Sequence, residues 1–130
     1  MAHHRTPFGL PADLVTDVRL GVGGVDVTVR GDVDVHSAPV LRERLAELVA
    51  QGEPRLLVHL DAVTFLDSTG LGVLVGAHKA QREAGRGFEL VCNEPRLLRI
   101  LRLTGLDRVL VVHTDVPREG TVGSTGGPRR

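Results

Sequence analysis

Leu56-Leu57-Val58-His59-Leu60 is a nearly unbroken apolar run held between Pro54 and Asp61. A run this short, bounded by turn formers, reads as a β-strand covered on both faces, as in the middle of a largely parallel sheet. Its surroundings agree. Upstream, from about Ser37 to Ala50, Leu41, Leu45, Leu48 and Val49 form a helical stripe while Arg42, Glu43, Arg44 and Glu47 face water. Ser37 offers a side-chain oxygen to an orphan N–H of the first turn, Pro39 sits where no intrahelical donor is needed, and Gly52 and Pro54 end the helix. Downstream, a second helix is expected from about Ser68 to Ala84, with Leu71, Leu74 and Val75 on one face and Gly85 at its close.

Working outward, Val18, Leu20 and Val22 alternate with Arg19 and Gly21, and Val25, Val27 and Val29 alternate with Asp26, Thr28 and Arg30. Period-two alternation marks strands with one buried face. The intervening Gly23-Gly24 suits a two-residue hairpin turn with positive φ at both centres, so these strands should pair antiparallel. Toward the C-terminus, Phe88–Cys92 reads as a strand. Leu97, Ile100, Leu101 and Leu103 ride a short helix ending at Gly105, a candidate left-handed cap, and Val109–Val112 is the last strand. The order β-β-α-β-α-β-α-β implies an α/β domain whose mixed, mostly parallel sheet carries an antiparallel N-terminal hairpin.

The chain has 130 residues, enough for one core without disulfide or metal staples. With no Trp or Tyr and only three Phe, that core must be aliphatic. Formal charge is balanced at zero, which argues against direct nucleic-acid binding through phosphate neutralisation, and the scarcity of aromatics removes the platform for stacking single-stranded bases. Cys92 is the only cysteine, so neither an internal disulfide nor a thiolate zinc cluster can form, and its place in Leu90-Val91-Cys92 reads as a small buried hydrophobe. The N-terminus lacks a signal-peptide h-region and no apolar run is long enough to span a bilayer. The expectation is a soluble, cytoplasmic protein with no membrane partner. Residues 1–13 and 115–130 carry too little apolar surface to offset the entropy of ordering and are expected to be disordered, leaving residues 14–114 as the folded domain.

In open α/β sheets, sites gather in the loops at the carboxyl ends of strands. Two such loops stand out: Gly31-Asp32-Val33-Asp34-Val35-His36-Ser37 and the ten residues from Asp61 to Gly70, ending Asp67-Ser68-Thr69-Gly70. Asp67 or Ser68 would serve well as a plain helix cap, with the glycines allowing close packing on the sheet. Yet two successive hydroxyls follow a buried strand, and Gly70 and Gly72 weaken the helix start by about 1 kcal/mol each relative to alanine. Some further demand should account for them. Gly70, Gly72 and Gly76 only approximate a dinucleotide fingerprint, since the third glycine comes one residue late and an acidic residue opens the segment. There is no Walker lysine; Lys79 is the sole lysine. For catalysis, Ser68 lacks a G-x-S-x-G elbow, and His36, His59, His78 and His113 are scattered without metal-ligand spacing. His78 continues the apolar line of Leu74 and Val75 and reads as a boundary histidine. The residues point to a binding module, with neither enzyme nor cofactor chemistry indicated.

Phe65-Leu66-Asp67-Ser68-Thr69-Gly70-Leu71-Gly72-Val73-Leu74 resembles the signature of STAS-domain anti-sigma factor antagonists. Gly31-Asp32-Val33-Asp34 with Ser37-Ala38 is similar to that family's upstream motif, and Thr104-Gly105-Leu106 to its late one. Asp32 stands where glutamate is commoner and Thr69 where serine is commoner. The resemblance implies a STAS fold over about residues 14–113. It implies that Ser68 is phosphorylated by an anti-sigma factor with ATP-dependent serine kinase activity, that the unphosphorylated form binds this partner and frees its sigma factor, and that a serine phosphatase acting on phospho-Ser68 resets the cycle. It further implies a partner-binding set of Asp32, Asp34, Asp67, Ser68, Thr69, Gly70 and Gly72. A phosphate at Ser68 would meet the positive end of a helix and free backbone donors, opposed by Asp67 and, if the loops are neighbours, by Asp34; the fold should then be little affected. The other function in view is a STAS-like module binding a nucleotide or small ligand within a stress-signalling or transport-associated complex.

Overall fold

A computed structural model describes residues 14–114; the disordered segments expected at 1–13 and 115–130 lie outside the described residues. Five strands and three helices follow in the order β1 (Val15–Gly21), β2 (Gly24–Val33), α1 (Ala38–Ala50), β3 (Arg55–Leu66), α2 (Ser68–Glu83), β4 (Gly87–Val91), α3 (Pro95–Leu103) and β5 (Val111–His113), with one 3₁₀ turn at Leu106–Arg108. The strands lie side by side in chain order. β1 pairs antiparallel with β2, and β2 through β5 are parallel. The three parallel connections all step the same way across the sheet, so right-handed crossovers place all three helices on one face.

Alternation along the strands fits that arrangement. Val25, Val27 and Val29 of β2, Leu56, Val58 and Leu60 of β3 and Phe88 and Leu90 of β4 form one core with Leu41 and Leu45 of α1, Leu71 and Leu74 of α2 and Leu97 and Leu101 of α3. Each such side chain, once fully buried, contributes about 1.5–3 kcal/mol. On the other face the sheet is polar. His59 Nε2 lies 3.0 Å from Asp26 Oδ1, and Glu89 bridges Arg55 Nη2 at 2.6 Å and His113 Nε2 at 2.7 Å. Leu57 is partly exposed, so the cover expected on both sides of Leu56–Leu60 is complete only under the helices.

The structure corrects the hairpin by one residue. Gly21 pairs with Gly24, making Val22-Gly23 the two-residue loop, and only Gly23 of the two expected centres takes positive φ (82°). Gly24 belongs to β2, and the position requires glycine because a Cβ there would sit 2.2 Å from the Arg55 carbonyl oxygen. Leu20 and Val22, expected on a buried face, are 86 % and 99 % exposed: Leu20 lies near the end of β1, the sheet edge, and Val22 lies in the hairpin loop. Leu103, expected on the α3 stripe, is exposed, and Val73 is buried in α2 where Val75 is only partly so. Gly105 does take the left-handed conformation beyond α3 (φ 77°). The last strand begins at Val111, two residues later than expected, after the 3₁₀ turn.

Candidate functional site

Both candidate loops are shorter than the sequence suggests, because β2 and β3 run on as a pair. Asp32 lies inside β2 opposite Phe65, and Val33 lies opposite Leu66. β3 carries an extra residue at two places, where Thr28↔His59 gives way to Arg30↔Ala62 and Gly31↔Val63 to Asp32↔Phe65. Gly31 adopts φ 97° at the second irregularity. These bulges break the apolar alternation, which is why residues 61–66 read as loop. One residue, Asp67, then joins β3 to α2.

Asp67 settles the start of α2. Its Oδ1 accepts from Thr69 N–H at 2.9 Å and Gly70 N–H at 3.1 Å, and its own N–H donates to the Val33 carbonyl at 3.2 Å. One residue therefore caps the helix and ties the two candidate loops together. Ser68, first residue of the helix, is exposed, while Thr69 is half-buried. The two glycines have separate reasons. A Cβ on Gly70 would fall 2.6 Å from Val33 Cγ1 and 2.7 Å from Leu66 Cδ1, so Gly70 is buried and shapes the surface from beneath. Around Gly72, one turn beyond Ser68 on the same helix face, nothing lies within 4 Å of an added Cβ.

The loop after β2 is folded on itself. Asp34 Oδ1 accepts from the N–H groups of His36 and Ser37, each at 2.9 Å. These bonds, led by that from Ser37 N–H, hold the Asp34 carboxyl below the usual range. Ser37 Oγ donates to the Asp32 carbonyl at 2.7 Å and accepts from Asp34 N–H at 3.0 Å. It thus points back into the loop and makes no capping bond to α1, contrary to expectation. Asp32 Oδ1 accepts from Thr64 Oγ1 at 2.5 Å. The adjoining ends of β2 and β3 thus carry three carboxylates and the Ser68 hydroxyl, and Val35, Val40 and Phe65 of the flanking segments are exposed.

Such a surface suits a protein partner better than a small anion. The amides of Thr69 and Gly70, which a bound phosphate would otherwise use, are already taken by Asp67. Shallow depressions of about 140 Å³ beside Phe65 and about 200 Å³ beside Gly72 and Gly76 fall short of the roughly 300–1,000 Å³ usual for small-molecule pockets. Among the described residues no group of three or more His, Cys, Asp or Glu side chains could hold a metal, and no helix is long and apolar enough to cross a membrane. Cys92 is fully buried and its thiol is pushed up to about 11, chiefly by burial, so it packs as a hydrophobe. His78 packs edge-on against Phe88 at 6.1 Å, a boundary role as expected.

Comparison with known proteins agrees with this geometry. The STAS domain family model matches residues 13–118. An anti-sigma-B factor antagonist of Bacillus subtilis (strain 168) is 40 % identical over 94 residues, spanning 72 % of this chain and 85 % of that one. A crystal structure of an anti-sigma factor antagonist from Mycobacterium paratuberculosis superposes with a TM-score of 0.73 at 32 % identity, covering 85 % of this chain and 90 % of that one. The Bacillus antagonist SpoIIAA in its phosphorylated form shares the fold, with a TM-score of 0.61 at 17 % identity over 78 % of this chain and 93 % of that one. The chain belongs to the STAS domain family. Within it, the chain is similar to anti-sigma factor antagonists.

Of the seven residues singled out in the sequence, Asp32, Asp34, Asp67, Ser68 and Thr69 are brought together at the adjacent ends of β2 and β3, Gly70 underlies them and Gly72 extends the surface along α2. Sequence reasoning missed Thr64, which orients Asp32, and the exposed apolar trio. For Phe65 the alternation gave no signal, because Val63, two residues before it, is buried and a bulge lies between them.

Proposed function

We propose that this protein is an anti-sigma factor antagonist whose binding face is the surface around Ser68. Unphosphorylated, it binds an anti-sigma factor that is also a serine kinase and so releases the sigma factor. Phosphorylation of Ser68 blocks this binding, and a serine phosphatase restores it. The observation that carries the reading is the placement of one exposed hydroxyl at the first position of α2, beside the Asp67 cap that ties it to the acidic end of β2. The names of its relatives support the choice of partner.

The mechanism is electrostatic. A phosphate adds about −1.5 to −2 charge. At Ser68 it gains from the helix dipole but not from the amides of Thr69 and Gly70, which Asp67 holds, and Asp67 itself repels it. These effects oppose each other within the folded protein. At an interface they do not, because the new dianion must be desolvated beside three carboxylates. The test is binding of wild type, Ser68→Ala, Ser68→Asp and the phosphorylated protein to candidate anti-sigma factors, with and without ATP, and mass spectrometry of Ser68. Wild type and Ser68→Ala should bind. The charged forms should bind at least about tenfold more weakly, a loss of about 1.4 kcal/mol, with Tm nearly unchanged. Equal affinity across the set, or a large fall in Tm on phosphorylation, would overturn the reading.

A further inference from the structure

β1 is the edge of the sheet, and its outer side is lined by no described strand. An edge of this kind pairs readily with another strand unless charge or shape opposes it. Here the charges are self-complementary. Asp17 lies opposite Thr28 and Arg19 opposite Asp26, which places Asp17 and Arg19 on the polar face of the sheet, where their side chains approach to 3.8 Å. Thr16, Val18 and Leu20 lie opposite Val29, Val27 and Val25 on the helix-bearing face. Leu20 is 86 % exposed, and Val22 beside it at the hairpin is 99 % exposed.

We propose that β1 is a homodimerisation edge, pairing antiparallel with β1 of a second copy about a two-fold axis at Val18. Antiparallel pairing of identical strands is closed by such an axis, which gives an isologous interface with no free end to propagate. Set at Val18, the axis brings Asp17 of each copy opposite Arg19 of the other and Leu20 opposite Thr16, with Leu20 diagonal to the second Val18. Moved one residue toward the N-terminus, it would face Asp17 with Asp17; moved one residue the other way, Arg19 with Arg19. Both oppose like charges, so charge favours the axis at Val18 over either neighbouring register. The helices of both copies then lie on the same side of one continuous sheet. Ser68, on α2, belongs to neither copy's interface, so the inference is independent of the proposed function.

Analytical ultracentrifugation of the full chain over micromolar to millimolar concentration tests it. Wild type should dimerise reversibly. Asp17→Arg and Arg19→Asp should each raise the dimer dissociation constant at least about tenfold, by setting like charges opposite one another. Mixing these two variants should give a heterodimer, because each then supplies the charge the other lacks, and the double exchange Asp17→Arg/Arg19→Asp should restore the homodimer. Leu20→Glu alters a side chain exposed in the monomer, so it should weaken the dimer without unfolding the protein, as circular dichroism would show. A wild type that stays monomeric throughout, or single-charge variants that neither dissociate nor recombine, would overturn the proposal.

Discussion

Gly70 and Gly72 stand two residues apart in α2, and alanine at each should move stability in opposite directions. Alanine is favoured over glycine within a helix by about 1 kcal/mol. At position 72 nothing lies within 4 Å of the new methyl, so Gly72→Ala should keep most of that gain. At position 70 the methyl would lie 2.6 Å from Val33 Cγ1 and 2.7 Å from Leu66 Cδ1. Leu66 can turn its terminal methyl aside. Val33 is fully buried and its β-branch restricts χ1, so strand and helix must part. Overpacking costs about 1–3 kcal/mol, and a collision from two sides belongs in the upper part of that range. Less the helical gain, Gly70→Ala should lose about 1–2 kcal/mol. Urea unfolding should therefore separate the two variants by about 2–3 kcal/mol through their midpoints at constant m-value, on the scale where 1 kcal/mol moves Tm by about 4–8 °C. Equal stability, or Gly70→Ala the more stable, would refute the packing argument. The stabilised Gly72→Ala should also bind the anti-sigma factor less well if its exposed face meets the partner; full affinity would remove Gly72 from the interface.

Asp67 caps α2, and under the proposed function its charge also faces the partner; substitutions separate the two roles. Asparagine caps as well as aspartate, so Asp67→Asn should hold Tm within about 2 °C, whereas Asp67→Ala should lose about 1 kcal/mol. Similar losses for both in thermal unfolding would show that charge, not the cap, steadies α2. Glu89 makes stability depend on acidity. Its bond from Arg55, and secondarily that with His113, hold its carboxyl below the ordinary value of 4.5, so the folded state favours the carboxylate. That contribution is complete above the ordinary value and is lost as pH falls through the lowered one. Glu89→Gln should be less stable by about 1 kcal/mol at neutral pH and lose stability less steeply on acidification; parallel acid unfolding curves for variant and wild type would exclude this origin.

Much of this architecture was legible because it rests on periodicity. The stripe of Leu41, Leu45 and Leu48 and the alternation of Val25, Val27 and Val29 report which side of an element meets the core, and the core formed as they indicate. Where a residue serves a neighbour distant in sequence, the reading fails. Thr64 and Phe65 read as loop because two bulges disturb the strand, and those bulges exist only against β2. Leu20 fits a buried alternation perfectly, yet nothing in its own segment says that β1 is the edge of the sheet. At the candidate site, residue types were enough to mark Asp67 as a cap. They were not enough to tell Gly70, forced by Val33, from Gly72, which faces open space. Ser37 had the right residue type and position for a cap, but two backbone groups of its own loop compete for the hydroxyl and win.

The uninterrupted order of the strands also bears on how the chain assembles as it is made. Paired residues such as Val27 with Val58, or Val58 with Leu90, are about thirty residues apart, and no strand must be threaded between two already joined. Each new β-α unit can dock on the edge left by the one before, so growth can follow translation from the N-terminal hairpin onward. The only wait is for the next strand, and the final one, with just three residues, closes the series with a short edge that offers little to a passing chain.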